Sequence, residues 1–273
     1  MKRSPLVSVV VPTFNSERFL ENCLKSVRGQ SHRNIEIIVV DNYSSDRTRK
    51  IAEKYAARIF EASSERAKAK NLGAIVAHGK YLLFVDSDMA LESTVIEECS
   101  EKAENSPKTS GIIIPERSIG NSFWVKVRDF ERDFYSGTEI ESPRFFRKDL
   151  VLKVGGFDEE FVFFEESTLP QKIEALGHDV KVRTKSVIYH NEDTSYMSNW
   201  LRKKYYYGKT AWNYKKRYVN YARKQVSPAN RFRLFFRNRR FYCKPSLAFG
   251  VVVLKSLEYL FTGLGYLIRE ERM

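Results

Sequence analysis

The first two thirds of this chain predict an α/β fold with a mostly parallel sheet and helices on both faces. Short β-branched runs recur at intervals. Amphipathic stretches of helical spacing separate them. Strand and helix then alternate through short connections, the pattern of a sheet with crossover helices. The remaining third predicts a basic helical region.

The runs "LVSVVVP" and "IEIIVVD" read as buried strands, "ARIFEA" as a weaker third, and "YLLFVD" and "GIIIPE" as two more. Helices are expected over Ser16 to Val27, Asp46 to Ala57, Glu65 to Ala77 and Ser93 to Glu104, with Asp46 and Ser93 as N-caps. Further on, "RFFRK" is strand-like and a short helix precedes the Gly155-Gly156 turn. "FFEESTLPQKIEALG" is helical, with Pro170 in its first turns and Gly177 as its stop. "DVKVRTKSVIYHNE" alternates as one strand ending at His190.

The 273 residues, 42% of them hydrophobic, can bury one large core or two modest ones. Cys23, Cys99 and Cys243 lie far apart, which points to reduced thiols in a cytosolic setting rather than to disulfides or a zinc site. The start of the chain lacks a signal-peptide pattern. The net charge of +13 is unevenly placed. Residues 200–273 contain 18 of the 47 Lys and Arg but only 3 of the 34 Asp and Glu. Two regions are therefore expected, 1–199 and 200–273, the second facing an anionic partner.

In parallel sheets ligands bind beyond the carboxyl ends of the strands. Those ends carry Pro12-Thr13-Phe14-Asn15, Asp41-Asn42, Asp86-Ser87-Asp88 and Pro115-Glu116. Neither glycine-rich phosphate cradle, GxGxxG or GxxxxGK[ST], is present. Asp86 and Asp88 could point at one ion, and hard carboxylate oxygens suit Mg²⁺ or Mn²⁺. The same Asp-X-Asp is also an ordinary helix cap.

The blocks "SVVVPTFN", "IIVVDNYSSDRT", "AKNLGA" and "GKYLLFVDSDM", in that order, resemble the family 2 glycosyltransferases of the GT-A fold over roughly residues 6 to 192. The resemblance implies a nucleotide-sugar donor held by Pro12, Thr13, Asn15, Asp41, Lys70, Asp86 and Ser87. Asp41 would take the base, with uridine the first guess, and Asp86 would lie at the ribose and diphosphate. Asp88 would ligate the metal, with His190 facing it. Lys70 stands where the family often has Arg, and so lacks a bidentate fork. The family's acidic pair after "GGFDE" appears as Glu165-Glu166, and Glu166 matches the general base by position. Two glutamates at a helix start also suit its dipole without any catalytic role. Glu116 and Arg144 are candidates for the acceptor side. No Gln-X-X-Arg-Trp motif of the processive synthases is present. The family therefore implies inverting transfer of a single sugar.

In the tail, Trp200, Tyr207, Ala211, Tyr214, Tyr218 and Tyr221 fall on one helical stripe among Lys and Arg. Beyond them, residues 247–268 are nearly long enough to span a bilayer. Lys255 and Glu258 interrupt that run, and with Ala248, Val251, Thr262 and Arg269 they form one narrow stripe. An amphipathic helix lying in the interface fits this better than a span. The expected partner is thus an anionic membrane at the cytoplasmic face, with a lipid-linked or glycan acceptor nearby. Nucleic acid is the runner-up for the tail, and a helical subdomain packed on the catalytic domain or on a second subunit of a homo-oligomer is the third. The competing reading of the whole chain is a non-catalytic scaffold that binds sugar nucleotides or nucleic acid.

Overall fold

The structure is a computed structural model and describes residues 4–55, 58–63, 65–192 and 197–268. The chain forms two compact units. The first comprises residues 1–117, 142–160 and 165–191, and the second 118–141, 161–164 and 192–273. The expected division at residue 199 differs from this one. Phe161, Phe163 and Phe164 pack around Tyr214, and Val127, Phe130 and Phe134 share a core with Val251 and Leu254. These contacts draw two earlier segments into the second unit.

The first unit is built on a seven-stranded sheet. Its strands are β1 (Val7–Thr13), β2 (Ile35–Asp41), β3 (Arg58–Glu61), β4 (Tyr81–Phe84), β6 (Gly111–Ile113), β8 (Phe145–Arg147) and β9 (Val182–Arg183), ordered β3-β2-β1-β4-β8-β6-β9. β8 alone runs against its neighbours, β4 and β6. In a second sheet, β5 (Met89–Leu91) pairs antiparallel with β10 (Ile188–Asn191). That sheet extends to β7 (Glu116–Ile119), whose first two residues belong to this unit.

Alternation along β1 divides the core. Val7, Val9 and Val11 face α1 (Leu20–Arg28), α2 (Thr48–Tyr55) and α4 (Val95–Asn105). Val10, with Ile38, Val40 and Leu82, faces α3 (Arg66–Val76), α6 (Lys148–Lys153) and α7 (Thr168–Ala175). The element between α4 and α6 in the chain, α5 (Phe123–Arg132), belongs to the second unit.

The expected helix from Ser16 starts only at Leu20. A turn precedes it, in which the Phe19 and Leu20 amides both donate to Ser16 O. Asp46 does cap α2, accepting from the Thr48 amide at 2.9 Å, whereas Ala57 lies outside the described residues. The alternating run to His190 is two strands in two sheets. Between them Thr184 Oγ1 donates to Ser186 O, and Glu98 takes the amides of Lys185 and Ser186, so no ladder can continue.

Two glycines serve close approach. A β-carbon on Gly73 would collide with the Val10 side chain, so glycine lets α3 lie on β1. Gly156, at φ +69°, would collide with the Asn71 side chain. Asn71 brackets the Phe157 backbone there, donating to its carbonyl at 2.9 Å and accepting from its amide at 2.8 Å. The "NLG" and "GGFDE" blocks are thereby tied together.

The second unit is helical: α5, α8 (Met197–Arg217), α9 (Val219–Val226), α10 (Pro228–Phe236), α11 (Arg239–Tyr242) and α12 (Pro245–Leu267). The aromatic stripe does not run on one helix, because the chain breaks at Tyr218 between α8 and α9. The Tyr214 hydroxyl spans the break and donates to Gln225 Oε1 at 2.7 Å. α8 and α12 approach through bare backbone. A β-carbon on Gly208 would strike Thr262 O, and one on Gly265 would strike Tyr205 O.

The stripe on α12 faces the opposite way from that of an ordinary amphipathic helix. Lys255 is 4% exposed. Its ammonium meets Glu131 of α5 at 2.6 Å and Glu258 at 2.5 Å, and Glu258 also meets Lys204 of α8 at 2.6 Å. Tyr135 donates to Glu131, and Arg128 stands 3.5 Å from it. The charged stripe is therefore the buried seam, because its counter-charges come from α5 and α8. Phe249, Leu260, Leu264, Leu267 and Ile268 are left exposed. By length and composition α12 could also cross a membrane. Arg269 lies outside the described residues.

Replacing Gly73 with alanine is expected to cost about 1–3 kcal/mol of stability through overpacking. Val10→Ala in the same chain should recover part of that loss. An unchanged denaturation midpoint in the single variant would show that α3 does not rest on β1 as described.

Acid should act on the second unit through Glu131. Burial alone would raise this carboxyl, but the charges of Lys255 and Arg128 hold it below its usual value. Its contribution is complete above the unfolded value of about 4.3 and is lost as pH falls through the lower folded value. Unfolding midpoints of Glu131→Gln measured below neutral pH should fall less steeply than those of the wild type. Equal slopes would contradict the pairing.

Candidate functional site

Where β1 ends, Val10 is its last residue paired with β4, while Pro12 and Thr13 pair only with β2. Proline is tolerated there because one side of the strand has no neighbour. Beyond it the chain is bound to the end of β2. Thr13 Oγ1 donates to Asp41 Oδ1 at 2.7 Å, and Ser44 donates to both Asp41 oxygens, through its hydroxyl at 2.6 Å and its amide at 2.9 Å. Asn15, at φ +45°, accepts the Ser45 amide at 2.9 Å. Asp41 is buried and serves first as the anchor of this loop. Phe14 and Tyr43 flank it, each 61% exposed, and Tyr43 has φ +52°. A bulky residue held in that region is strained. Sequence reasoning passed over both rings, although each directly follows a strand end or its neighbour.

Asp86, Ser87 and Asp88 form the turn from β4 to β5, closed by the Met89 amide donating to Asp86 O at 3.0 Å. Ser87 donates to Ser16 at 2.9 Å. The two aspartates face different partners. Asp86 Oδ2 meets Arg144 at 3.3 Å. Burial would raise the Asp86 carboxyl, but the charges of Lys70, Arg144 and Arg66 hold it well below the usual carboxylate range. Asp88 Oδ2 meets His190 Nε2 at 3.2 Å, while its Oδ1 is buried with no partner.

Arg144 joins the set. It is 7% exposed and donates to Glu116 Oε1 at 2.6 and 2.8 Å, and it stands 3.9 Å from Glu166 Oε1. Glu116 in turn lies 3.8 Å from His190 Nδ1. Burial would lower the His190 pKa, yet hydrogen bonds and charge from Asp88 and Glu116 outweigh it and push it up to about 9. At neutral pH His190 is therefore a cation, and a ligand role would ask it to give up that proton. Arg144 and Glu116, expected on the acceptor side, lie between Asp86 and His190, where β8 running beside β4 brings Arg144.

The adjacent glutamates separate by burial. Glu165 is 6% exposed, with Arg66 at 3.5 Å and Lys70 at 3.6 Å. Burial raises its carboxyl against the pull of Lys70. Glu166 keeps a third of its side chain exposed while facing the same two cations at 3.7 and 3.6 Å. Lys70 is fully buried over the Phe157 ring, 5.3 Å from its centroid. Arg66 was not singled out from the sequence. It lies one helical turn before Lys70 on α3.

Among the described residues no group of three or more His, Cys, Asp or Glu side chains is arranged to hold a metal ion. The orphaned Asp88 Oδ1 nevertheless fits a hard cation. Mg²⁺ sites commonly use one or two carboxylates and take the other ligands from substrate phosphates and water.

A twisted, mostly parallel sheet with an acidic turn at its carboxyl edge defines the GT-A class of nucleotide-sugar fold. The chain superposes on a Pyrobaculum calidifontis mannosyltransferase, solved with GDP-Man and Mn²⁺, at a TM-score of 0.64 and 18% identity, covering 98% of this chain and 86% of that one. It superposes on S. aureus TarS 1-349, solved with UDP-GlcNAc, at 0.59 and 20% identity, covering 95% and 83%. The "Glycosyl transferase family 2" pattern matches residues 8–164, more than half of the chain, and the chain belongs to that family. A GalNAc(5)-diNAcBac-PP-undecaprenol beta-1,3-glucosyltransferase from Campylobacter jejuni is 29% identical over 210 residues, 74% of this chain and 62% of its own length. Two other bacterial relatives align over shorter stretches, and the chain spans only 31% and 46% of their lengths.

Arg144→Met would leave Asp86 and Glu116 without their buried counter-charge. A loss of about 3–5 kcal/mol is expected from denaturant unfolding. Arg144→Lys should lose less, since it keeps the charge and gives up the fork. Wild-type stability in the methionine variant would show that the carboxylates do not depend on this pairing.

Proposed function

We propose that the protein is a nucleotide-sugar-dependent glycosyltransferase. It moves a single sugar from a UDP-sugar to a lipid-linked or membrane-proximal glycan at the cytoplasmic face of the cell membrane. The observation that supports this most is the Asp86–Asp88 turn. One carboxylate is committed to Arg144, and the other has a free buried oxygen.

Asp88, with His190 behind it, would hold Mg²⁺ or Mn²⁺. That ion, when bound, offsets the charge of the departing nucleoside diphosphate. Asp86 lies toward the ribose and diphosphate, with Pro12, Thr13, Asn15, Asp41, Lys70 and Ser87 holding the rest of the donor. Phe14 and Tyr43 offer faces on which a base can stack. Glu166 is the better placed of the two glutamates, because it is open to an incoming acceptor while Glu165 is buried. Glu166 takes the proton from the acceptor hydroxyl. The acceptor oxygen then bonds to the anomeric carbon as the bond to the diphosphate oxygen breaks on the opposite side, which inverts the configuration. Arg144 and Glu116 position these groups.

A lipid-linked acceptor fits the outward apolar face of α12 and agrees with what the name of the Campylobacter relative says of that protein. Aromatic residues on α8 suit the headgroup layer.

Nucleotide release from a panel of donors in the presence of Mn²⁺ tests the chemistry. Glu166→Gln is expected to lower turnover about 10²–10⁴-fold, and Asp88→Ala should abolish the response to Mn²⁺. Full activity in either variant removes the role given to that residue. Membrane attachment is tested by sedimentation with vesicles. Deleting residues 245–273 should release the protein. Complete release of the intact chain by high salt would leave electrostatics alone as the attachment.

A further inference from the structure

The second unit contains a cavity of about 610 Å³ that the chemistry above does not use. That volume falls within the range of small-ligand sites. Arg233, Arg237, Arg239 and Lys224 line it, with Glu139 and Asn230. Arg237, the C-cap of α10, follows Arg233 by four residues in helical backbone and so shares its face. Arg239 opens α11 directly after. Glu139 is already matched by Lys224 at 2.6 Å. The three arginine side chains have no partner among the described residues and are exposed. Three guanidinium groups facing one cavity form an anion site, since each offers a planar fork suited to phosphate oxygens.

The wall behind them is fixed. Gln225 Nε2 donates to Glu139 O at 2.7 Å, Arg231 donates to Gln225 O at 2.7 Å, and Tyr214 donates to Gln225 Oε1 at 2.7 Å. The site is therefore built without its ligand, which lowers the ordering cost of binding. Its rim is apolar on one side. Leu234 and Ile140 line the cavity beside the arginines. A free inorganic anion would use only the arginines. A phosphate carried on an acyl or polyprenyl chain would use this apolar lining as well.

We propose that this cavity binds the phosphate or diphosphate group of a membrane lipid through Arg233, Arg237 and Arg239. The proposal rests on the membrane part of the reading above but needs neither donor nor transfer.

The test uses the full-length chain and a variant with Arg233→Gln, Arg237→Gln and Arg239→Gln. A control variant carries Arg202→Gln, Lys203→Gln and Lys216→Gln, which removes the same charge from exposed positions on α8. Sedimentation is measured with vesicles of phosphatidylcholine alone and with vesicles containing phosphatidylglycerol. The cavity variant should lose about 100-fold in affinity for the anionic vesicles, as about a fivefold effect per arginine suggests. The control should lose clearly less. Inorganic pyrophosphate should displace the wild type from anionic vesicles. Equal losses in the two variants would mean diffuse electrostatics and overturn the site. Pyrophosphate binding that depends on the three arginines, with vesicle binding unchanged in the cavity variant, would mean a soluble anion and overturn the lipid assignment. Tighter binding to single-stranded RNA than to any vesicle would also overturn it. A wild type that binds no vesicle at all defeats the membrane reading itself, whereas a cavity variant that binds like the wild type defeats only the site.

Discussion

A buried guanidinium that faces several carboxylates ties together the parts of the chain that carry them. Arg144 is in that position. Asp86 comes from the turn after β4, Glu116 from the start of β7 and Glu166 from the segment before α7. Three separate parts of the chain thus meet at one side chain. The backbone keeps it there, since the Phe84 amide donates to Arg144 O and the Arg144 amide donates to Ile112 O. Removing the cation would leave anions facing each other at low dielectric, where unpaired charge is most costly. The neighbouring cations Lys70, Arg66 and His190 extend the balance. Asp86 can therefore stay ionised without a ligand.

Much of the first unit was legible in the sequence. The strands over Val7–Thr13, Ile35–Asp41 and Tyr81–Phe84 are continuous β-branched or apolar runs, and burial on both faces leaves little alternative. Reversal of β8 was not legible, because "RFFRK" has the same composition in either direction. The split of the run to His190 was hidden for a similar reason. Alternation persists through Thr184–Val187, while side-chain hydrogen bonds from Thr184 and Glu98 close the ladder. At the site, the motif blocks named most of the residues that converge. They could not tell Glu165 from Glu166, since adjacent carboxylates differ only by which one the fold buries. Phe14 and Tyr43 lie inside the blocks, yet only their exposure singles them out, and Arg66 lies outside every block and is marked only by its neighbours.

The second unit shows where pattern reading misleads. A stripe of Lys255 and Glu258 on an apolar helix suggests a wet face. The counter-charges on α5 and α8 lie some 125 and 50 residues earlier in the chain, and no local pattern reveals them. Once paired, the charges become the adhesive of the core and the hydrocarbon is turned outward. An exposed apolar face of this size marks an interaction surface.

The glycine contact between α8 and α12 adds a mechanical consequence. With Gly208 against Thr262 O and Gly265 against Tyr205 O, the two helices meet backbone to backbone, with no side chain between them to act as a bearing. α12 cannot roll about its axis to hide Phe249, Leu260 and Leu264 in water without driving a carbonyl into its neighbour. The oily side is locked outward by steric hindrance as well as by charge. The exposure of that face is thus set by the helix pair itself and not by the residues that happen to lie on it.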